Sequence, residues 1–256
     1  MSQSVIPEIK KIITKEEFIE INKNAASEMY KDKGLQKEAL DLLIKADQYR
    51  WIHQTTWLGE PLLNLPQDMF AIQEIIWKTK PEFILEVGVA WGGALLFEAT
   101  LLEMYGGKKI IGIDIFIPKD LRERLLSHEK LSNRIVLIEG ESTDENTINT
   151  VKSILNGSKK CLVLLDSFHT HEHVLNELRL YSQFVGKGQY LVCGDTLVEY
   201  IPAQEHRPRP WGPGNNPATA VVEFLSSNSR FTVDTDIDKK LLLSCHPGGY
   251  LKATEE

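Results

Sequence analysis

Cysteine is scarce in this chain: Cys161, Cys193 and Cys245 are the whole set in 256 residues. So odd and sparse a count excludes a disulfide scaffold. Two of the three lie inside apolar runs, which suits buried free thiols in a reducing compartment. Positive charge is also in deficit, with 29 Lys+Arg against 36 Asp+Glu and a net charge of −7. Neutralising a phosphate backbone needs a basic face, so no nucleic-acid partner is expected. No apolar run approaches the roughly 20 residues that span a bilayer. The start, Met1-Ser2-Gln3-Ser4-Val5-Ile6-Pro7, has no apolar signal-peptide core. A cytoplasmic location is therefore the expectation. Missing too is the G-x-G-x-x-G of dinucleotide-binding folds, which counts against an NAD-dependent oxidoreductase.

What is present belongs to a globular protein: 42% hydrophobic and 25% charged residues exclude global disorder. The length allows one large α/β domain with extensions. Residues 1–56 read as an N-terminal helical extension. Thr14 caps a segment with Glu16 and Glu17 in its first turn, and Leu35, Ala39, Leu40, Leu42, Leu43 and Ala46 recur at near-helical spacing. Such a cover also suits contact between copies, and a homo-oligomer is expected.

Residues 57–256 read as the main domain. Pro66-Gln67-Asp68 opens a helix. Five short apolar runs then follow: Phe83-Ile84-Leu85-Glu86-Val87, Ile110-Ile111-Gly112-Ile113-Asp114, Arg134-Ile135-Val136-Leu137-Ile138, Cys161-Leu162-Val163-Leu164-Leu165-Asp166 and Gln189-Tyr190-Leu191-Val192-Cys193. Continuous apolar runs separated by helix-like stretches mark a mostly parallel, doubly wound α/β sheet buried on both faces. Phe231 to Asp234 and Leu241 to Ser244 read as two more strands, a C-terminal antiparallel hairpin closing the sheet. Between them and the core lies a Pro- and Gly-rich loop, residues 202–217, carrying Arg207, Arg209 and Trp211. It is a lid candidate.

Ligands of open α/β sheets sit beyond the carboxyl ends of the strands. The first run ends in Glu86-Val87-Gly88-Val89-Ala90-Trp91-Gly92-Gly93, where small residues admit a ligand to the backbone. An acid just before the glycines suits a positive amino group better than a pyrophosphate. The second run ends in Asp114, a carboxylate able to accept ribose hydroxyls, and the third is followed by Gly140-Glu141-Ser142, where a purine edge would lie. Asp166 ends the fourth run and Asp195 follows the fifth. Two carboxylates brought together by adjacent strand ends call for a cation between them.

An ordered set of motifs carries a family resemblance: Trp57-x-Gly59, Pro66-x-Asp68, Glu86-Val87-Gly88-x-Ala90-x-Gly92-Gly93, Gly112-Ile113-Asp114, Leu165-Asp166-Ser167-x-His169, His173-Val174-Leu175-x-Glu177-Leu178, Asp195-Thr196, Gly212-Pro213 and Gly249-Tyr250-Leu251. From Trp57 onward the chain resembles the cephalosporin hydroxylase / rhamnosyl O-methyltransferase family. The resemblance implies a Rossmann-like class I methyltransferase fold, S-adenosyl-L-methionine as donor, often a divalent metal, and a sugar or glycosylated metabolite as acceptor. The hydroxylase half of that name finds no support, because no His-x-Asp…His facial triad is present. On this reading Glu86, Gly88, Ala90, Gly92, Gly93, Asp114, Ser142 and Asp166 hold the cofactor, and Asp166 and Asp195 hold Mg²⁺.

One position departs from the family pattern. Gly194 stands where the first acid of a pair is common, and Thr196 or a water is expected to fill the gap. His169, in a loop where related enzymes carry a basic residue, is the expected catalytic base beside Asp166. His169-Thr170-His171-Glu172-His173 also invites a zinc-hydrolase reading. The ring directions diverge at a helix start, however, and further ligands are not evident, so His171 and His173 are expected at the surface or in packing. A non-catalytic module that keeps only the donor pocket is the remaining alternative.

Overall fold

The computed structural model describes residues 14–203 and 207–255. The Met1 to Pro7 start and residues 204–206 of the Pro-rich loop lie outside the described residues. Among the described residues two helices come first, α1 (Lys15–Lys31) and α2 (Lys33–Asp47), followed by a 3₁₀ turn at Trp51–His53. Thr14 caps α1 as expected: its hydroxyl accepts from the Glu17 amide while Glu17 reaches back to the Thr14 amide. A small hairpin comes next, β1 (Thr55–Trp57) and β2 (Glu60–Leu62). Its turn residues Leu58 and Gly59 both have positive φ, 50° and 93°, as a tight hairpin turn requires.

The main unit runs α3 (Pro66–Thr79), β3 (Phe83–Val87), α4 (Gly93–Tyr105), β4 (Lys109–Asp114), α5 (Lys119–Leu126), α6 (Glu129–Ser132), β5 (Ile135–Glu139), α7 (Glu145–Leu155), β6 (Cys161–Leu165), α8 (His171–Tyr181), β7 (Tyr190–Cys193), α9 (Pro217–Ser227), β8 (Phe231–Val233), α10 (Thr235–Lys240) and β9 (Tyr250–Ala253). The seven large-sheet strands lie in the order β5-β4-β3-β6-β7-β9-β8. The first five are parallel, and β9 is antiparallel to both its neighbours. All five expected core strands are therefore present, and the order reverses between β3 and β6. That is the switch point where such sheets bind ligands.

Each strand feeds two cores, because successive side chains face opposite ways. Ile84, Ile110, Leu162, Leu164 and Val192 pack under α3, α4 and α5. Phe83, Leu85, Ile111, Val163 and Leu191 pack under α7, α8 and α9. Helices thus cover both faces, as the apolar runs required. The three cysteines are free and buried. Among the described residues no helix is long and apolar enough to cross a membrane.

The closing antiparallel pair is present, but its second strand is not Leu241 to Ser244. That segment is coil, and the pairing strand is β9, with Phe231 opposite Ala253 and Val233 opposite Leu251. The reason is a buried acid at the start of α3. Asp68 is fully buried and accepts from Ser244 Oγ at 2.6 Å, the Cys245 amide at 2.8 Å and Tyr250 Oη at 2.8 Å. With Ser244 and Cys245 bound to a helix terminus, their backbone is not free to join the sheet. Asp68→Ala should therefore cost about 3–5 kcal/mol, since it strands three buried donors. In a domain of this size that lowers Tm by roughly 10 °C. Asp68→Asn, which keeps one acceptor oxygen, should lose less. Differential scanning calorimetry of both variants measures the difference.

Candidate active site

The parallel ladders continue one residue past the strand ends and set the site. Asp166 N donates to Val87 O, Gly194 N to Leu165 O and Gly88 N to Ile113 O, each at 2.8 Å. Gly88 has φ 104°, and a Cβ there would sit 2.1 Å from the Asp166 carbonyl oxygen. No other residue fits. Beyond it the turn is held by Asp114, whose Oδ2 accepts from the Val89 and Ala90 amides at 2.9 and 3.1 Å. Gly92 caps α4 in the left-handed region, and a Cβ on Gly93 would meet the Pro61 carbonyl oxygen at 2.3 Å. Oδ1 of Asp114 accepts from Phe116 N at 3.2 Å. Three of the roughly four lone-pair positions of this carboxylate are thus taken, leaving room for one further donor.

A cleft of about 510 Å³ opens between this turn and the ends of β4, β5 and β6, lined by Gly88, Asp114, Ile115, Ser142, Phe168 and His173 among others. Ile115 and Phe168 present exposed apolar surface there. The floor is a polar knot. Glu177, fully buried on α8, accepts through one oxygen from Ser142 Oγ (2.5 Å), Ser167 Oγ (2.6 Å) and His173 Nε2 (3.1 Å). Ser142 spends its hydroxyl hydrogen on Glu177, so it meets a ligand as an acceptor. The Glu177 bond raises the His173 pKa against the opposing effect of burial. His173 therefore belongs to the cleft and not only to packing. His171, as expected, packs away from it, against Thr219 (2.8 Å) and Glu223 (3.1 Å) on α9.

On the other side of the Gly88 turn lies a second cavity, about 260 Å³, whose lining includes His53, Glu86, Asp166, His169, Asp195 and Trp211. Asp166 lines both spaces. His169 Nε2 is 3.3 Å from Asp195 Oδ2 and 4.0 Å from Asp166 Oδ1. One donor atom from each of the three lies within 4.8 Å of the others, a spacing that can hold a metal ion. Burial first, then the Asp195 charge, pushes Asp166 up to about 6. Such a pair is eased by a cation between its members.

Gly194 has a geometric cause: a Cβ there would stand 2.5 Å from Asp166 Oδ1. The expected substitute, Thr196, does not reach the site. It is buried, and its hydroxyl donates to Pro247 O at 2.8 Å, away from the carboxylates. The third group beside the two carboxylates is His169. Asp195 is held in the left-handed region (φ 51°), its amide donating to Nδ1 of buried His246 at 3.1 Å.

Glu86 is buried and lines the second cavity, where its Oε2 has no hydrogen-bond partner among the described residues. Behind it stands Glu98 of α4, equally buried, also with an unpartnered Oε2. Burial, followed by the charge of Glu98, holds Glu86 well above the usual carboxylate range. Glu98 escaped the sequence reading because a lone acid inside an apolar helix carries no motif. The lid candidate reaches the site through Trp211, which meets His169 and Phe168 edge-on at 4.9 and 5.2 Å. Arg209 lies over the Trp211 ring, and Arg207 pairs with Asp47 at 3.0 Å.

The strand order, the glycine turn at the switch point and the acids gathered on one sheet edge define a class I methyltransferase fold. Solved structures agree on the fold. An apo structure of CmcI aligns at TM-score 0.55 with 19% identity, covering 80% of this chain and 78% of that one. A Mg- and SAM-bound structure of CmcI aligns at 0.52, also with 19% identity, over 78% and 77%. The chain belongs to the rhamnosyl O-methyltransferase/CmcI family, whose sequence profile matches residues 49–254. The rhamnosyl O-methyltransferase of Mycobacterium tuberculosis (strain ATCC 25618 / H37Rv) is 24% identical over 222 residues, 81% of this chain and 84% of that protein. Its namesake in Mycobacterium leprae (strain TN) is 29% identical over 167 residues, 62% and 70%.

The raised Asp166 has a stability signature. Its folded pKa of about 6 exceeds the ordinary 3.8. A group raised on folding stabilises the protein below its unfolded pKa, and that contribution is lost as pH rises through the folded value. Metal-free protein should thus lose stability from about pH 4 to pH 6 relative to the Asp166→Asn variant. Urea unfolding in EDTA across that range measures the difference. A divalent cation added above pH 6 should restore the loss in the unmodified chain alone.

Proposed function

We propose that the chain transfers the methyl group of S-adenosyl-L-methionine to a hydroxyl of a rhamnosyl or similar sugar residue. One observation carries the reading: the nucleoside-sized cleft and the acidic cavity share a wall at Gly88, Ala90 and Asp166. A donor with its nucleoside in the cleft and its amino-acid end past Gly88 in the acidic cavity, which Glu86 lines, brings its methyl to the side where the acceptor enters. Ile115 and Phe168 flank the adenine, Asp114 holds a ribose hydroxyl, and Glu86 faces the donor's ammonium group. The missing dinucleotide fingerprint and the carboxylate at Glu86 disfavour NAD.

The acceptor side continues into a space of about 350 Å³ lined by Ile52, Leu197, Ile201, Pro202, Arg209 and Trp211, with other residues of the lid. A flat indole ring beside guanidinium groups suits a sugar face, and the apolar walls suit a hydrophobic aglycone. That supports a glycosylated metabolite or glycolipid over a free sugar. A homo-oligomer in the cytoplasm belongs to the same reading. It is supported by Phe18, Ile19 and Ile21 on α1, each 44% exposed or more.

Asp166, Asp195 and His169 hold a divalent cation in this reading. The carboxylates suit Mg²⁺, and the imidazole admits Mn²⁺ as well. When bound, the cation supplies positive charge that lowers the pKa of an acceptor hydroxyl and offsets the paired acids. His169, expected as the catalytic base, stands beside both carboxylates in this reading, its Nε2 3.3 Å from Asp195 Oδ2. The remaining work of the chain is alignment: Gly88 lets donor and acceptor approach, and Trp211 excludes water.

Labelled methyl transfer from S-adenosyl-L-methionine to aryl rhamnosides is the test. EDTA should abolish transfer, and Mg²⁺ or Mn²⁺ should restore it. Asp195→Asn should lower kcat by about 100-fold or more while S-adenosylhomocysteine still binds. Equal rates in EDTA and Mg²⁺ refute the metal assignment. Thermal stabilisation by NAD but not by S-adenosylhomocysteine refutes the donor. Binding without transfer leaves the non-catalytic module.

A further inference from the structure

Behind the cleft of about 510 Å³, a single carboxylate oxygen sets which way the hydrogens of the wall point. Ser142 and His173 line the cleft, and Ser167 lines both it and the acidic cavity. All three converge on Oε1 of Glu177, which is fully buried on α8. The two serine oxygens stand 2.5 and 2.6 Å from it, and Nε2 of His173 stands 3.1 Å away. A carboxylate oxygen offers only lone pairs, so the ring nitrogen facing it carries a hydrogen and donates. The same nitrogen lies 3.3 Å from Ser142 Oγ and 3.2 Å from Ser167 Oγ. Being a donor, it takes no hydrogen from either. Both hydroxyl hydrogens therefore go to Glu177, and each serine keeps only lone pairs for the cleft. The Tyr181 hydroxyl, donating to Ser142 O at 2.9 Å, holds the backbone of that residue in place.

We infer that Glu177 selects the base of the methyl donor: it makes the wall at Ser142 an acceptor only, which admits a 6-aminopurine and turns away a 6-oxopurine. The inference rests on the methyl-transfer reading above and deepens it. An amino group on the ring edge donates to the serine oxygen. A 6-oxo group sets lone pairs against lone pairs and leaves both oxygens without a hydrogen. Glu177 lies behind the wall and acts through Ser142, as a positioning residue.

The rest of the cleft makes no such choice. Ile115 and Phe168 present apolar surface that any purine face can cover. Asp114 has room for one further donor, which every ribonucleoside carries on its ribose. Discrimination between bases thus falls to the polar groups after β5, of which Ser142 is the buried one, 7% exposed. A site built to pair with a substrate N–H rejects an analogue lacking it far more strongly than an apolar pocket rejects a change of size. The cause is the buried polar group left unpaired, which in this cleft is the Ser142 oxygen.

Calorimetric binding of S-adenosylhomocysteine and S-inosylhomocysteine to the full chain with Mg²⁺ is the test. The unmodified chain should bind the adenosyl compound about 30-fold more tightly. Glu177→Met removes the acceptor at similar volume and frees the Ser142 hydrogen to turn to the cleft. It should narrow that ratio to about threefold. Ser142→Ala removes the oxygen itself and carries the test should Glu177→Met not fold. It should narrow the ratio likewise, by weakening the adenosyl compound alone. A purely structural role for Glu177 would lower Tm, or weaken both ligands in step, and leave the ratio at its full value. If the unmodified chain binds both compounds equally, or if either folded variant keeps the full ratio, the base-selection role falls while methyl transfer stands. If neither compound binds, the donor reading fails and this inference falls with it.

Discussion

The register of three neighbouring parallel strands controls the site. Val87, Leu165 and Cys193 lie abreast in β3, β6 and β7. The next residue on each strand, Gly88, Asp166 and Gly194, must therefore emerge side by side. Only one of three abreast can carry a side chain of any size. Gly88 would drive a Cβ into the Asp166 carbonyl and Gly194 would drive one into the Asp166 carboxylate. The two glycines make room for a single central acid, and that acid lines both cavities of the site. Backbone hydrogen bonding thus fixes where the chemistry happens, before any ligand is considered.

Much of this was legible in the residues. Buried parallel strands announce themselves as unbroken apolar runs, and an acid or glycine at each run's end points to one sheet edge. What the pattern could not convey was contact between distant segments. Leu241 to Ser244 looks like a strand, yet its last residue answers to Asp68, far back in the chain. Thr196 sits beside Asp195 in sequence, but the left-handed backbone at Asp195 turns the next side chain towards Pro247. His53 carries no motif. Its relation to Asp195 exists only because the turn after α2 folds over the sheet edge.

The buried acids divide by how completely they are satisfied. Asp68 is enclosed by three donors and serves the fold, closing α3 against the C-terminal strand. Glu86 and Glu98 are equally enclosed but leave an oxygen each without a partner among the described residues. Burying an unpaired carboxylate is among the costlier things a protein does. Its ordinary relief is protonation, which fits the raised pKa of both groups. A ligand bearing a positive charge offers the same relief from outside. The donor proposed for this pocket carries such a charge on its ammonium group.

The glycine at position 194 follows from the same geometry. A second acid there would collide with Asp166, so a third ligand must come from elsewhere. In the proposed cation site His169 supplies it from three residues beyond Asp166, where the chain has already left β6 and is approaching α8. Trp211 braces that ring edge-on from the lid. An imidazole in place of a carboxylate removes one negative charge from a crowded site and adds a softer donor.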